Sequence, residues 1–162
     1  MQIIVKALIF TIFVPGFVTV AMPYLLLHSG IGLAGDIGYY RYAGTIPAAL
    51  GITVYIITVY EFAAKGSGTP APLDPPVKLV TGRLYRFTRN PMYIGLLLIL
   101  AGEAILFVSP VLVIYVFFVW LLFHLFVVYY EEPKLSKKFG EKYLTYMQNT
   151  PRWFLKRQQS AT

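Results

Sequence analysis

The chain has 162 residues, about one domain's worth. It is 57% hydrophobic and 13% charged, with a mean hydropathy of +0.65. A soluble domain carries roughly 25% charged residues to cover its surface, so an ordinary soluble fold is excluded. The absence of cysteine excludes a disulfide framework, a thiolate nucleophile and a cysteine-ligated metal centre, and no metal is expected.

Four apolar runs follow in chain order. Ile3 to Leu27 is interrupted by Lys6, Pro15, Gly16 and Pro23. Ala43 to Phe62 is the second, Met92 to Val108 the third, with Glu103 as its only charge, and Val111 to Tyr130 the fourth, holding His124. At about 1.5 Å per residue, a helix of about 20 residues, or ~17 at the short end, crosses a ~30 Å hydrocarbon core. All four are expected to span. The first run begins like a signal peptide, but it is too long for a usual h-region and Ala21-Met22-Pro23 is a poor cleavage site; a retained helix is expected.

The expected fold class is therefore all-α: an integral membrane protein of four transmembrane helices. Only Ser109 and Pro110 separate the last two runs, which makes them a tight hairpin. One membrane domain covers 1–162: residues 1–62 form the first two helices, 63–90 a cytoplasmic loop, 91–130 the hairpin and 131–162 a cytoplasmic tail. Within the loop, the prolines of Gly66 to Pro76 forbid regular helix, and Gly66-Ser67-Gly68 lacks the third glycine and the strand of a dinucleotide fingerprint. An amphipathic stretch, Val77 to Phe87, follows. In the tail, Leu135, Phe139, Tyr143 and Tyr146 recur at helical spacing among lysines, which predicts an amphipathic helix over Lys134 to Met147 lying on the membrane surface.

The formal charge is +7, and thirteen of the fourteen lysines and arginines lie at the N-terminus, in residues 63–90 or in the tail. By the positive-inside rule both termini are cytoplasmic, and Arg41 alone faces out. Topology and attraction to anionic headgroups account for the charge, so the membrane is the expected partner and nucleic acid is not. Oligomeric state is not legible.

Counting outward from the Ser109-Pro110 turn sets Glu131 and Glu132 level with Thr88 and Phe87, beside Arg86 and Arg89, and His124 level with Gly95 and Leu96. Polar residues thus converge at the cytoplasmic end of the hairpin. Asn90-Pro91 reads as an N-cap followed by proline at the first helical position. That is a helix start in its own right, and with Arg89 beside it also an anion site. Glu131-Glu132 at a helix C-terminus opposes the helix dipole. The pair is either neutralised by Arg86, Arg89 or Lys134, or it receives an amine, ribose hydroxyls or a cation. His124 reads as a packed, hydrogen-bonded histidine or as a contact or base for a substrate. Glu103, far from the cluster, reads as a protonated or helix-paired structural residue, since a charge there costs ~2.5–3.5 kcal/mol.

Arg89-Asn90-Pro91-Met92-Tyr93-Ile94-Gly95, Gly102, Glu131-Glu132, and Phe139-Gly140-Glu141-Lys142-Tyr143-Leu144-Thr145-Tyr146 with Pro151 together resemble the C-terminal half of the isoprenylcysteine carboxyl methyltransferase and phospholipid methyltransferase superfamily. The resemblance runs from about Thr69 to Phe154. It implies S-adenosylmethionine bound under the hairpin, roofed by the C-terminal segment, and a lipid or lipid-tailed acceptor entering from the bilayer. Carried over by position, Arg89, Asn90, Pro91, Tyr93 and Gly95 would line the cofactor site. Glu131 and Glu132 would contact cofactor or acceptor, and Tyr143 and Tyr146 would close the roof. Asn90 stands where the prenylcysteine enzymes have histidine, and Asn149 where they have arginine, with Arg152 the nearest substitute.

Methyl transfer from a sulfonium needs alignment and exclusion of water and no nucleophilic side chain. For an amine acceptor the candidate bases are Glu131, Glu132 and His124; for a carboxylate acceptor the orienting cation is Arg89 or Arg152. Two alternatives stay open. A membrane NADPH-dependent reductase like the sterol reductases shares the Asn-Pro-x-Tyr element, although Leu96 stands where that group tends to have an acid. A non-enzymatic membrane adaptor leaves the polar cluster unexplained.

Overall fold

The computed structural model describes residues 13–31, 35–64 and 78–153. These residues are mostly helical, with no strand among them. Helix α1, Phe13–His28, contains a π turn at Phe17–Ala21. A 3₁₀ segment, Gly38–Gly44, runs straight into α2, Thr45–Ala64. Helix α3 is Pro91–Leu106 and α4 is Pro110–Phe126. A second π turn, Val127–Glu131, carries α4 without a break into α5, Glu132–Phe139, and α6 follows at Glu141–Asn149.

Among the described residues, two helices are long and apolar enough to cross a membrane: Gly38–Glu61, of 24 residues, and Pro110–Phe139, of 30. Phe13–His28 and Pro91–Leu106 are apolar but shorter. The 16 residues of α3 rise about 24 Å, which falls short of a ~30 Å core. The reason lies at its C-terminus. Val108 adopts φ +48°, Ser109 N donates to Ala104 O at 3.1 Å, and Arg41 Nε donates to Leu106 O at 2.8 Å. A left-handed residue with closing bonds of this kind ends a helix, and a cation is well placed at the negative end of the dipole. Ser109 then caps α4, accepting from Leu112 N at 3.4 Å with Pro110 at the first position. The Tyr115 hydroxyl of α4 donates to Val18 O in the π turn of α1 at 3.0 Å.

Helix α3 is the axis of the fold, and its broadest contact is with α2. Gly44 and Gly51 are seven residues apart, as are Gly95 and Gly102, and the pairs meet in reverse order. A Cβ on Gly51 would stand 2.5 Å from Gly95 O, and one on Gly102 would stand 2.6 Å from Gly44 O. Where lipid replaces water, burial of apolar side chains gives little drive for helix association, and small residues that admit close backbone contact supply it. The remaining faces are apolar and outward, with Ile52, Ile56, Ile114, Phe118 and Leu122 all exposed.

Three expectations are corrected here. Glu131 and Glu132 do not sit at a helix end, because the π turn continues the helix to Phe139; the dipole conflict does not arise. The single surface helix over Lys134 to Met147 is two helices broken at Gly140, whose φ +55° and ψ −134° are open essentially to glycine alone. Beyond the break Tyr143 turns inward, 3% exposed, so α6 folds against the protein. The stretch from Lys78 to Phe87 is irregular apart from a 3₁₀ turn at Arg83–Arg86. The proline-rich Gly66 to Pro76 and the start of the first run lie outside the described residues.

Gly51→Ala and Gly102→Ala are expected to force α2 and α3 apart and destabilise the protein by about 1–3 kcal/mol each, as overpacking does. Gly16→Ala, with nothing within 4 Å of its added carbon, serves as the control. Thermal unfolding in detergent, followed by far-UV circular dichroism, measures all three.

Candidate functional site

The short run before α3 is held by the tail. Arg89 N donates to Pro151 O at 2.9 Å. The Thr88 hydroxyl and the Asn90 side-chain amide both donate to Arg152 O, at 2.9 and 3.1 Å. Asn90 therefore precedes Pro91 at the start of α3 as expected, but its side chain makes no cap bond. Its amide is spent on the tail instead.

Glu132 gathers the charges. Arg152 Nε and Nη2 donate to its two carboxylate oxygens at 2.7 and 2.8 Å, a bidentate, charge-assisted pair. Arg89 Nη1 lies 2.9 Å from Glu132 Oε1. The hydrogen bonds to Glu132 hold the Arg152 pKa above its ordinary value. Arg89 has a side chain only 10% exposed. Its Nε and Nη1 are buried and make no aligned hydrogen bond among the described residues, so the contact of Nη1 with Glu132 is an ion pair without hydrogen-bond geometry.

One position earlier, Glu131 accepts from the Tyr93 hydroxyl at 2.5 Å. The Tyr93 ring lies between Phe123, at 4.5 Å between centroids, and Trp153, at 6.5 Å. Trp153 Nε1 in turn donates to His124 Nδ1 at 3.0 Å, and the imidazole stacks on Trp120 and Trp153. Burial pushes the Tyr143 phenol up to about 12, with the Arg89 cation acting in the opposite direction. The Tyr146 hydroxyl donates to Tyr85 O at 2.6 Å, and burial raises its pKa as well.

Arg89, Asn90, Pro91, Tyr93, Glu131, Glu132, Tyr143 and Tyr146 thus lie around one junction of α3, the α4–α5 helix and α6, and His124 joins it through Trp153. Gly95 is set apart, against Gly51 of α2. Arg86 lies over the Phe87 ring at 4.6 Å and is not among the partners of Glu132. Glu103 is distant, with Oε2 buried and without a hydrogen-bond partner among the described residues. Sequence reasoning passed over Trp153 and Phe123. Trp153 had a signal: it is one of two tryptophans in the chain and follows Pro151-Arg152 directly. Phe123 had none among so many apolar aromatics.

From the Ser109–Pro110 end of the hairpin, a groove of about 440 Å³ between α3 and α4 runs to Trp120, lined only by apolar side chains, among them Leu97, Ala101, Ile105, Val113 and Phe117. Chemically, the junction offers a buried cation whose Nε is unmet among the described residues, a carboxylate oriented by the Tyr93 hydroxyl, and an apolar groove reaching the same tryptophan that stacks on His124.

Glu132→Gln is expected to leave two guanidinium groups uncompensated and cost about 3 kcal/mol, the low end for a broken buried pair because Arg152 keeps 29% exposure. Limited trypsin digestion should then cut at Arg152 at least tenfold faster. Arg152→Lys, which cannot bind in the bidentate fashion, should show a smaller loss of stability in the same unfolding assay.

A family model described as phospholipid methyltransferase matches residues 39–142. No curated protein matches the chain. The matched span takes in α2 to α5 with Arg89, Tyr93, His124, Glu131 and Glu132, and stops one residue before Tyr143; Arg152 and Trp153 lie beyond it.

Proposed function

The chain belongs to the phospholipid methyltransferase family, and we propose that it is an S-adenosylmethionine-dependent methyltransferase acting on a lipid or lipid-tailed acceptor at the cytoplasmic face of a membrane. The observation that carries this reading is the buried Arg89, ion-paired to Glu132 but with Nε lacking a hydrogen-bond partner among the described residues, close to the Tyr93–Glu131 pair and its aromatic neighbours.

These residues fit the cofactor by chemistry. Arg89 suits its carboxylate, since its buried Nε has no hydrogen-bond partner among the described residues and an unmet buried donor gains most from an anion. Glu131 suits an amine or ribose hydroxyls, and Asn90, Pro91, Tyr93, Tyr143 and Tyr146 form the walls. When bound, S-adenosylmethionine supplies a methyl group on a positively charged sulfonium. The protein's own work is to align the acceptor and exclude water. Glu131 orients an amine acceptor and takes its proton, the Tyr93 hydrogen bond fixing the carboxylate's direction. Glu132 acts through others, holding Arg89 and the Arg152 segment in place, which gives Arg152 the role left open by Asn149.

An amine headgroup is favoured over a prenylcysteine carboxylate, because Asn90 and Asn149 replace the residues expected for the latter. The apolar groove beside Trp120 supports a lipidic acceptor admitted sideways from the bilayer, a route that a soluble acceptor would not need. In this reading α1 and α3 also span, the latter by local thinning of the bilayer. The chain then crosses four times, α3 and α4 form the membrane hairpin, and the charge distribution puts both termini in the cytoplasm.

Calorimetry of the purified protein should register S-adenosylhomocysteine and not NADPH; the reverse result would mean a reductase. Tyr93→Ala and Glu131→Gln should each weaken that binding at least tenfold, about 1.4 kcal/mol, and unchanged affinity in both folded variants would move the site elsewhere. Radiolabelled methyl transfer in membranes should deliver label to the lipid-extractable fraction. Base-stable label there indicates a methylated amine, base-labile label an ester, and label confined to the aqueous fraction would exclude a lipidic acceptor.

Topology is open to a separate check, because the chain has no cysteine of its own. Single cysteines introduced at Phe107 and at Lys142 should react with impermeant reagents from opposite sides of the membrane. Labelling of both from one side would sink the four-span arrangement.

A further inference from the structure

We infer that His124 is a positioning residue: a neutral imidazole that holds Trp153 against Tyr93 and is not the proton acceptor of the reaction. The inference rests on the methyltransferase reading for its consequence, though not for its geometry.

An indole N–H can only donate. The 3.0 Å contact from Trp153 Nε1 to His124 Nδ1 therefore requires a lone pair on Nδ1, which leaves the imidazole hydrogen on Nε2. The sole basic site of the ring is then engaged. To take a proton, His124 would have to set two hydrogens against each other and release Trp153. The ring is also near-parallel to two indoles, 5.6 Å from Trp120 and 6.2 Å from Trp153, with both planes tilted by 30° or less.

The tail is pinned at consecutive residues, Arg152 to Glu132 and Trp153 to His124. His124 and Glu132 are eight positions apart, which in an unbroken α-helix would put them about 80° apart around the axis. The π turn at Val127–Glu131 lies between them. One inserted residue reduces the offset to about 20°, onto one face. Two anchors on one face hold the Trp153 ring 6.5 Å from Tyr93, the residue whose hydroxyl orients Glu131. Among the described residues, the hydrogen bond that ties His124 to the reacting groups runs through Trp153.

The test uses the full-length protein with His124→Gln, His124→Leu and Trp153→Phe. Glutamine keeps an acceptor oxygen for the indole but cannot serve as a base. Methyl-transfer kcat/KM should stay within about threefold for His124→Gln and fall about tenfold for both His124→Leu and Trp153→Phe. In a Trp120→Phe background, where Trp153 is the sole tryptophan, its fluorescence should keep its position in His124→Gln and shift to the red in His124→Leu.

A loss of 100-fold or more in His124→Gln with unchanged Trp153 emission would make His124 a general base, whose removal costs that much, and would overturn the inference. An unimpaired Trp153→Phe enzyme would overturn it as well, even if the histidine variants fail to fold. Should no methyl transfer occur at all, the proposed function fails, while unaltered emission in His124→Leu would still separately exclude the hydrogen bond.

Discussion

One buried carboxylate holds the site together. Glu132 is 7% exposed and receives two guanidinium groups, Arg89 from the run before α3 and Arg152 from the tail. In surroundings of low polarity an unpaired arginine is costly, and two arginines on one carboxylate are tolerable only when other charge is near. Glu131, one residue away, brings the local sum of the four groups to zero. Three segments far apart in the chain are thereby obliged to meet, and the backbone bond from Arg89 to Pro151 and the side-chain bonds from Thr88 and Asn90 to the Arg152 carbonyl become possible because that meeting has occurred.

The carboxylate can be reached from α3 only if α3 is held at a set depth and angle. The glycine contacts with α2 accomplish this. Backbone meets backbone at Gly51–Gly95 and Gly44–Gly102, and rigid surfaces this close allow little sliding. Tyr93 is two residues from the first of these crossings, so its hydroxyl inherits the precision of the helix contact. The site and the membrane-facing packing are therefore one arrangement: apolar residues outward to lipid, glycines inward to the neighbouring helix, and polar groups collected at one end.

Methyl transfer places few demands on side-chain reactivity and many on alignment and dryness, and the junction suits that kind of chemistry. Its contributions are a buried guanidinium with an unmet N–H, an oriented carboxylate and aromatic walls. The family match covers the helical frame and ends at residue 142, while the residues that close the junction, Tyr143, Tyr146, Arg152 and Trp153, follow it. Frame and closure are joined by specific bonds, the Trp153–His124 contact among them.

Much of this was readable in the chain. Sparse charge and long apolar runs determine a membrane class of helical protein, because no soluble surface can be made from them. Ser109-Pro110 determines the sharp connection of α3 to α4, since serine caps and proline starts a helix. Counting from that turn brings Glu132 beside Arg89, because helical rise is uniform over a short antiparallel pair. What only the tertiary structure decided depends on phase and on long-range partners. The π turn at Val127–Glu131 adds a residue that no local pattern announces, and it alters which faces carry His124 and Glu132. The Asn90 amide has two satisfactory outlets, a helix cap or a distant carbonyl, and only the position of the tail selects the second. Gly140 could be a cap or a spacer until its backbone angles are seen. Trp153 acquires meaning only when residues 29 and 60 positions earlier, His124 and Tyr93, are brought to it, and a contact made by chain folding leaves no periodicity for a sequence to display.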